Sequence, residues 1–192
     1  RRGVLDFDEV YRNAMRLVTF IGNHDSSRFF TEAGGASNPD LAVQRMKLAQ
    51  TFVFGTRGIP QIYYGDELAL AGGWDPDNRR DMPWDWVDKS LGGDSTLAAD
   101  RAPAPEVVRA RIILAHTRRL IQLRRASNAL TIGVCSTLYV QPGLLVLMKS
   151  LIDEMVVIAF NNGDTSTSVR VPLRGNPQIP DLVTEALVDG LE

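Results

Sequence analysis

The stretch from Leu17 to Glu67 constrains the fold more than any other part of the chain. Leu17-Val18-Thr19-Phe20-Ile21 is a short apolar run of strand formers ended by Gly22, the pattern of a buried strand. The polar tripeptide Asn23-His24-Asp25 follows at once. A second run, Ile59-Pro60-Gln61-Ile62-Tyr63-Tyr64, ends the same way, in Gly65-Asp66-Glu67. Between the runs one helix is expected. Asn38 is its cap, Pro39 takes its first position, and Gly55 and Gly58 stop it. Ala42, Met46, Ala49 and Val53 form its stripe, widened by Leu41, Leu48 and Phe52. Strand, helix, strand in that order predicts a parallel pair. Polar chemistry then gathers at the carboxyl ends of both strands, the edge where parallel α/β folds carry their sites.

The flanking segments have simpler signals. Asp6 to Arg16 reads as a helix, with Phe7, Val10, Tyr11 and Ala14 on one face. Gly22 to Asn38 and Leu68 to Arg101 read as long loops, and the second holds all three tryptophans, Trp74, Trp84 and Trp86. Glu106 to Ala126 reads as a strong helix, with Val108, Ile112, Ala115, Ile113, Leu120 and Leu123 on its buried side. After Asn128 the period changes. Gly133–Val140, Leu144–Lys149, Met155–Phe160 and Ser166–Val171 are strand-like runs separated by turn signals, which predicts a small antiparallel sheet domain. The expected division is residues 1–128 and 129–192, with the boundary near Ser127 to Leu130. Two parallel strands and a few helices cannot cover both faces of a sheet, so residues 1–128 read as part of a larger sheet or barrel. The chain reads as cut at both ends.

Composition excludes some functions. With 21 basic and 23 acidic residues among 192, the net charge of −2 gives no reason to expect nucleic acid or an anionic membrane as partner. No apolar run is long enough to cross a bilayer, and the single Cys135 rules out an internal disulfide. Compartment is left open. The arginines from Arg109 to Arg125 read as a solvated helix face, and His116 among them as structural. No cluster has metal-ligand spacing.

The Asn23-His24-Asp25 tripeptide has two readings. In one it is a polar cluster gripping a ligand's hydroxyls, with Asp25 setting negative charge near a developing cation. In the other it is a turn in which Asn23 and Asp25 cap backbone groups.

Phe20-Ile21-Gly22-Asn23-His24-Asp25 resembles the fourth signature of the α-amylase family of glycoside hydrolases. Gly58 to Glu67 is similar to that family's signature around the last barrel strand, and the spacing of the two fits. Asp75-Pro76-Asp77-Asn78-Arg79-Arg80-Asp81-Met82-Pro83-Trp84 resembles a loop of the cyclomaltodextrinase, neopullulanase and maltogenic-amylase branch. The resemblance implies an α/β plus all-β fold: the C-terminal portion of a (β/α)8 TIM barrel followed by a small antiparallel β-sandwich domain. It implies retaining hydrolysis or transfer of α-glucosidic bonds through a covalent glycosyl-enzyme, using three carboxylates. Asp25 matches the carboxylate that stabilises the transition state. His24 and Asn23 match its sugar-binding neighbours, and Asp75 and Arg79 are implied to contact a glucose further from the cleavage point. The implied partner is an α-glucan or cyclodextrin, with self-association of the chain as a further expectation. No cofactor is called for, and a calcium ion in the parent enzyme would find no evident site in these motifs.

One departure is large. The family's nucleophile, in an Arg-x-Asp motif, and its acid/base Glu both precede the Asn-His-Asp segment. Neither motif stands among Arg1 to Gly22. A retaining mechanism needs its two working carboxylates about 5–5.5 Å apart. The expectation is that these 192 residues alone have no glycosidase activity. Rival readings are a non-catalytic carbohydrate-binding or scaffold module and a metal-dependent hydrolase using His24 and Asp25. Trp74, Trp84 and Trp86 either stack on pyranose faces or fold their loop onto the barrel rim.

Overall fold

The computed structural model describes residues 8–90 and 103–171. The expected helix start at Asp6, the last part of the loop expected over Leu68 to Arg101 and the chain beyond Val171 lie outside them. Two strands pair in parallel, β1 (Val18–Thr19) and β2 (Ile59–Pro60), with Val18 opposite Ile59 and Thr19 opposite Pro60. Each is shorter than the apolar run that encodes it. Gly58 starts β2 at a φ of 97°, and a Cβ there would overlap the Leu17 carbonyl, so the close approach of the strands requires glycine. Thr19 is buried, but Val18 and Phe20 are 49% and 45% exposed, so β1 is not the fully buried strand its composition suggests. One neighbouring strand cannot cover both faces.

Between the strands lie α1 (Phe29–Glu32) and α2 (Pro39–Gly55). The α2 start is as expected, with Asn38 Oδ1 accepting from Leu41 N at 3.1 Å. Ala42, Val43, Met46 and Val53 are buried, and the first three pack with Phe30 of α1 and Ile113 of the long helix. The short α3 (Trp84–Ser90) follows the loop after β2, and α4 (Pro105–Ala126) then packs along α2. Its buried residues are Val107, Ala110, Ile113, His116, Thr117, Leu120 and Arg124, whereas Val108 and Ile112 are exposed, which corrects the expected face. Polar partners turned the helix. Thr117 Oγ1 donates to Gln50 Oε1 at 2.9 Å, and His116 Nε2 lies 3.1 Å from both Thr51 Oγ1 and the Lys47 carbonyl.

The helix expected over Asp6 to Arg16 is instead two single 3-10 turns, Asp8–Val10 and Ala14–Arg16. Asp8 is drawn into an ion pair with buried Arg57, 2.6 Å from Nη2, and Asn13 caps the second turn. Val10 and Tyr11 are exposed, so no packing holds a longer helix together.

After α5 (Asn128–Ile132), β3 (Val134–Gln141), β4 (Leu144–Ser150) and β5 (Met155–Asn161) form an antiparallel sheet in that order. Phe160 of β5 meets Phe52 of α2 edge-on, with ring centroids 5.5 Å apart. Lys149 is fully buried and donates to the Leu130 carbonyl at 2.9 Å, tying β4 to α5. Ser166 to Val171 is not a strand, and no second sheet faces the first among the described residues. The Ser/Thr-rich run after Asn161 has an alternative to ladder pairing, since the Asn161 side chain bonds the Thr165 carbonyl at 2.9 Å.

Candidate active site

The loops that leave the carboxyl ends of β1 and β2 meet. Asn23 shapes the first: its Oδ1 accepts from Asp25 N at 2.9 Å, and its own N–H donates to Ser26 Oγ at 3.2 Å. That turn presents His24 and Asp25 outward, their side chains 64% and 69% exposed, with His24 Nε2 3.3 Å from Asp25 Oδ1. The turn of the second reading is present, with Asn23 as its cap. Asn23 builds the turn, while the imidazole and carboxylate face solvent.

The second loop grips the first. Asn78, fully buried, donates through Nδ2 to the carbonyls of His24 and Ser26 at 2.8 and 2.9 Å. Arg79 Nε lies 3.2 Å from the His24 carbonyl and 3.0 Å from Asp75 Oδ1. Four of the five residues picked from sequence, His24, Asp25, Asp75 and Arg79, thus lie on one hydrogen-bonded surface, and Asn23 supports it from behind. The loop is braced internally. Gly73 N donates to Asp77 Oδ2 at 2.6 Å and Arg80 Nε to Asp77 Oδ1 at 2.6 Å. These bonds, the Gly73 amide first, hold the Asp77 carboxyl below its ordinary pKa. A Cβ on Gly72 would lie 2.6 Å from the Asp77 carbonyl and 3.0 Å from Asn78 Cα, so the loop closes only around glycine.

Beneath the surface sits Arg28, 1% exposed. Its Nε donates to the Asn78 carbonyl at 2.8 Å, and Nη1 reaches the Tyr64 carbonyl and, at 3.3 Å, Asp66 Oδ1. Its guanidinium lies over the Tyr63 and Tyr64 rings, 4.1 and 4.7 Å from their centroids. Tyr63 is half-buried there, while Tyr64, 39% exposed, donates its hydroxyl to the Arg80 carbonyl at 2.9 Å. Asp66 is buried, and burial pushes its carboxyl up to about 6 against the pull of Arg28. Sequence reasoning passed over Arg28, Asp66 and Asn78 as ligands of the loops. The available signal was a charged residue, Arg28, set directly before the apolar pair Phe29-Phe30.

A large concavity lies elsewhere, between α2, α4 and β5, walled by residues such as Phe52, Leu123, Leu145 and Val157. It contains none of the five predicted residues; of these, the side chains of His24, Asp25, Asp75 and Arg79 stand 46–69% exposed on the polar rim. No group of three or more His, Cys, Asp or Glu side chains among the described residues is arranged to hold a metal ion. None of their helices is long and apolar enough to cross a membrane. Chemically, the rim offers an accessible carboxylate beside an imidazole, and a guanidinium–carboxylate pair alongside. That set suits neutral polyhydroxylated ligands, with one negative charge available to a developing cation.

The family model described as "Alpha amylase, catalytic domain" matches residues 4–133. A cyclomaltodextrinase of Thermoanaerobacter pseudethanolicus is 32% identical over 146 residues, covering 76% of this chain and 21% of that protein. Neopullulanase 2 of Thermoactinomyces vulgaris is 29% identical over 181 residues, covering 92% of this chain and 26% of that one. Among solved structures, the α-amylase of Geobacillus thermoleovorans, complexed with acarbose, superposes with a TM-score of 0.61 at 34% identity over 83% of this chain and 31% of its own. The chain thus spans about a fifth to a quarter of these curated relatives.

Proposed function

Since the chain belongs to the α-amylase family, we propose that it supplies one side of a glycoside hydrolase site acting on α-glucosidic bonds of maltodextrins, cyclodextrins or related α-glucans. In this reading Asp25 stabilises the positive charge that develops on the sugar ring. His24 donates to a hydroxyl of the same ring, and Asn23 holds the turn that carries both. Asp75 and Arg79 bind a glucose further along, where a planar guanidinium can address two neighbouring hydroxyls. The observation that carries the reading is the clamp of Asn78 and Arg79 on the His24 carbonyl, which fixes the two sugar-facing loops to each other. A preorganised carboxylate needs no reorganisation as charge appears, and such groups supply much of an enzyme's rate.

The nucleophile and the acid/base are not supplied by motifs in these 192 residues. The isolated chain is therefore expected to release no sugar from maltodextrin or cyclodextrin, and measurable turnover would refute this division of labour. In an enzyme form that also carries the two other carboxylates, Asp25→Asn should lower kcat about a thousandfold or more, the scale of losing a preorganised electrostatic group, with oligosaccharide affinity changed far less. The missing motifs also favour a second reading, a binding-only module. Under it Asp25→Asn weakens binding and there is no rate to lose.

A further inference from the structure

We propose that Trp74 is a stacking platform for one more glucose ring of an α-glucan chain, beyond the ring held by Asp75 and Arg79. The inference rests on the site reading above and extends it. Trp74 is 72% exposed, the most exposed aromatic side chain among the described residues. Its backbone is nonetheless fixed. Asp77 N donates to the Trp74 carbonyl at 2.8 Å, and on its other side Gly73 N is held by Asp77 Oδ2. One residue further back, Gly72 N donates to Thr31 Oγ1 at 2.9 Å while its carbonyl accepts from Arg28 N at 2.9 Å. An exposed indole on a braced backbone has less left to order when a ligand arrives than one on a free loop, which lowers one of the main penalties of binding.

Its neighbours say what the surface fits. Asp75, the next residue, pairs with Arg79, and Arg79 touches the His24 carbonyl. Asp25, His24, Arg79 and Asp75 are thus linked in sequence across the rim, and Trp74 directly precedes Asp75 in the loop that carries the pair. A pyranose presents a C–H face and a hydroxyl rim. An indole carried one residue from a carboxylate–guanidinium pair offers both, a flat apolar surface for the face and polar groups for the rim. Trp84 is nearly as exposed, at 68%, but it begins α3, outside the hydrogen-bonded loop of residues 72–80. It is the natural control.

The test measures binding, so it needs no catalysis. The 192-residue chain is titrated with maltose and with maltohexaose by calorimetry, and indole emission is followed in a Trp84→Phe/Trp86→Phe background where Trp74 alone reports. Trp74→Ala should weaken maltohexaose about tenfold, the effect of losing one aromatic stacking contact. The same change should move maltose by less than about twofold, Trp74→Phe should recover most of the loss, and Trp84→Ala should bind as the parent does. Emission of Trp74 should shift to the blue with maltohexaose. If Trp74→Ala binds maltohexaose as tightly as the parent while Asp75→Asn and Arg79→Met weaken it, the platform is refuted and the site reading stands. If the parent chain binds neither sugar, or all these variants bind alike, both are refuted together.

Discussion

Arg28 is the residue on which the rim depends most. A single buried guanidinium reaches the Asn78 carbonyl, the Tyr64 carbonyl and Asp66, so it joins the loop after β1 to the loop after β2. Removing one partner of a buried pair leaves the other charged and unsolvated. Arg28→Met should destabilise the fold by about 3–5 kcal/mol, and Arg28→Met/Asp66→Asn should lose less than Arg28→Met alone; urea melts of the three variants decide it. Asp66 adds a pH signature. Its carboxyl is raised from an ordinary 3.8 to about 6, with burial as the largest cause. The folded state therefore keeps this proton longer than the unfolded chain does. Its contribution is full below pH 3.8 and is lost as pH rises to about 6. The loss is about 3 kcal/mol at most, on the scale of 1.4 per pKa unit. Asp66→Asn should flatten that segment of the stability–pH curve, and an unchanged slope would place the titrating group elsewhere.

Among the elements, the packing of α4 on α2 depends on polar side chains as much as apolar ones. Arg124 is buried and donates to three carbonyls where α2 gives way to β2: Phe54 at 2.6 Å, Thr56 at 3.3 Å and Gly58 at 2.6 Å. It corrects the reading of the arginine run as wholly solvated, as does Arg109, whose guanidinium lies 5.3 Å from the Phe30 ring centroid. Arg124→Met should cost about 3 kcal/mol, since it orphans several buried acceptors of a charged donor; a thermal melt within a degree of the parent would count against this. The same contacts explain what could be read from the chain beforehand. The α2 cap and stripe, the parallel pair and the β3–β4 turn at Pro142-Gly143 rest on local rules, and they were legible. The buried face of α4 was not, because Thr117 and Arg124 are chosen by partners far away in sequence. Nor were α1 and α3, which are one or two turns long and carry too little periodicity. At the rim, Asp25 and Arg79 drew notice only as parts of short motifs, whereas Asn78 and Arg28 act through carbonyls some 50 positions away that no local pattern announces.

At the scale of the molecule, the rim lies next to a sheet that no other strand covers among the described residues. Val18 and Phe20 around β1, and Ile59 and Ile62 around β2, remain 37–54% exposed, with Val10 and Tyr11 exposed in the turns before β1. A two-stranded parallel sheet has free hydrogen-bonding edges on both sides, and apolar side chains on such edges favour pairing with another chain. In the reading proposed above, strands that covered this surface would also bring the two missing carboxylates towards Asp25, so one completion would satisfy both the packing and the chemistry. For the isolated chain, a second copy is the available cover. Sedimentation velocity should therefore show weight-average mass rising with concentration through the micromolar range. Ile59→Lys places a charge on the edge, and it should shift the distribution back to monomer while leaving the helical circular dichroism of α2 and α4 in place. A parent chain that stays monomeric at every concentration, with no binding of an apolar dye, would refute pairing through this edge.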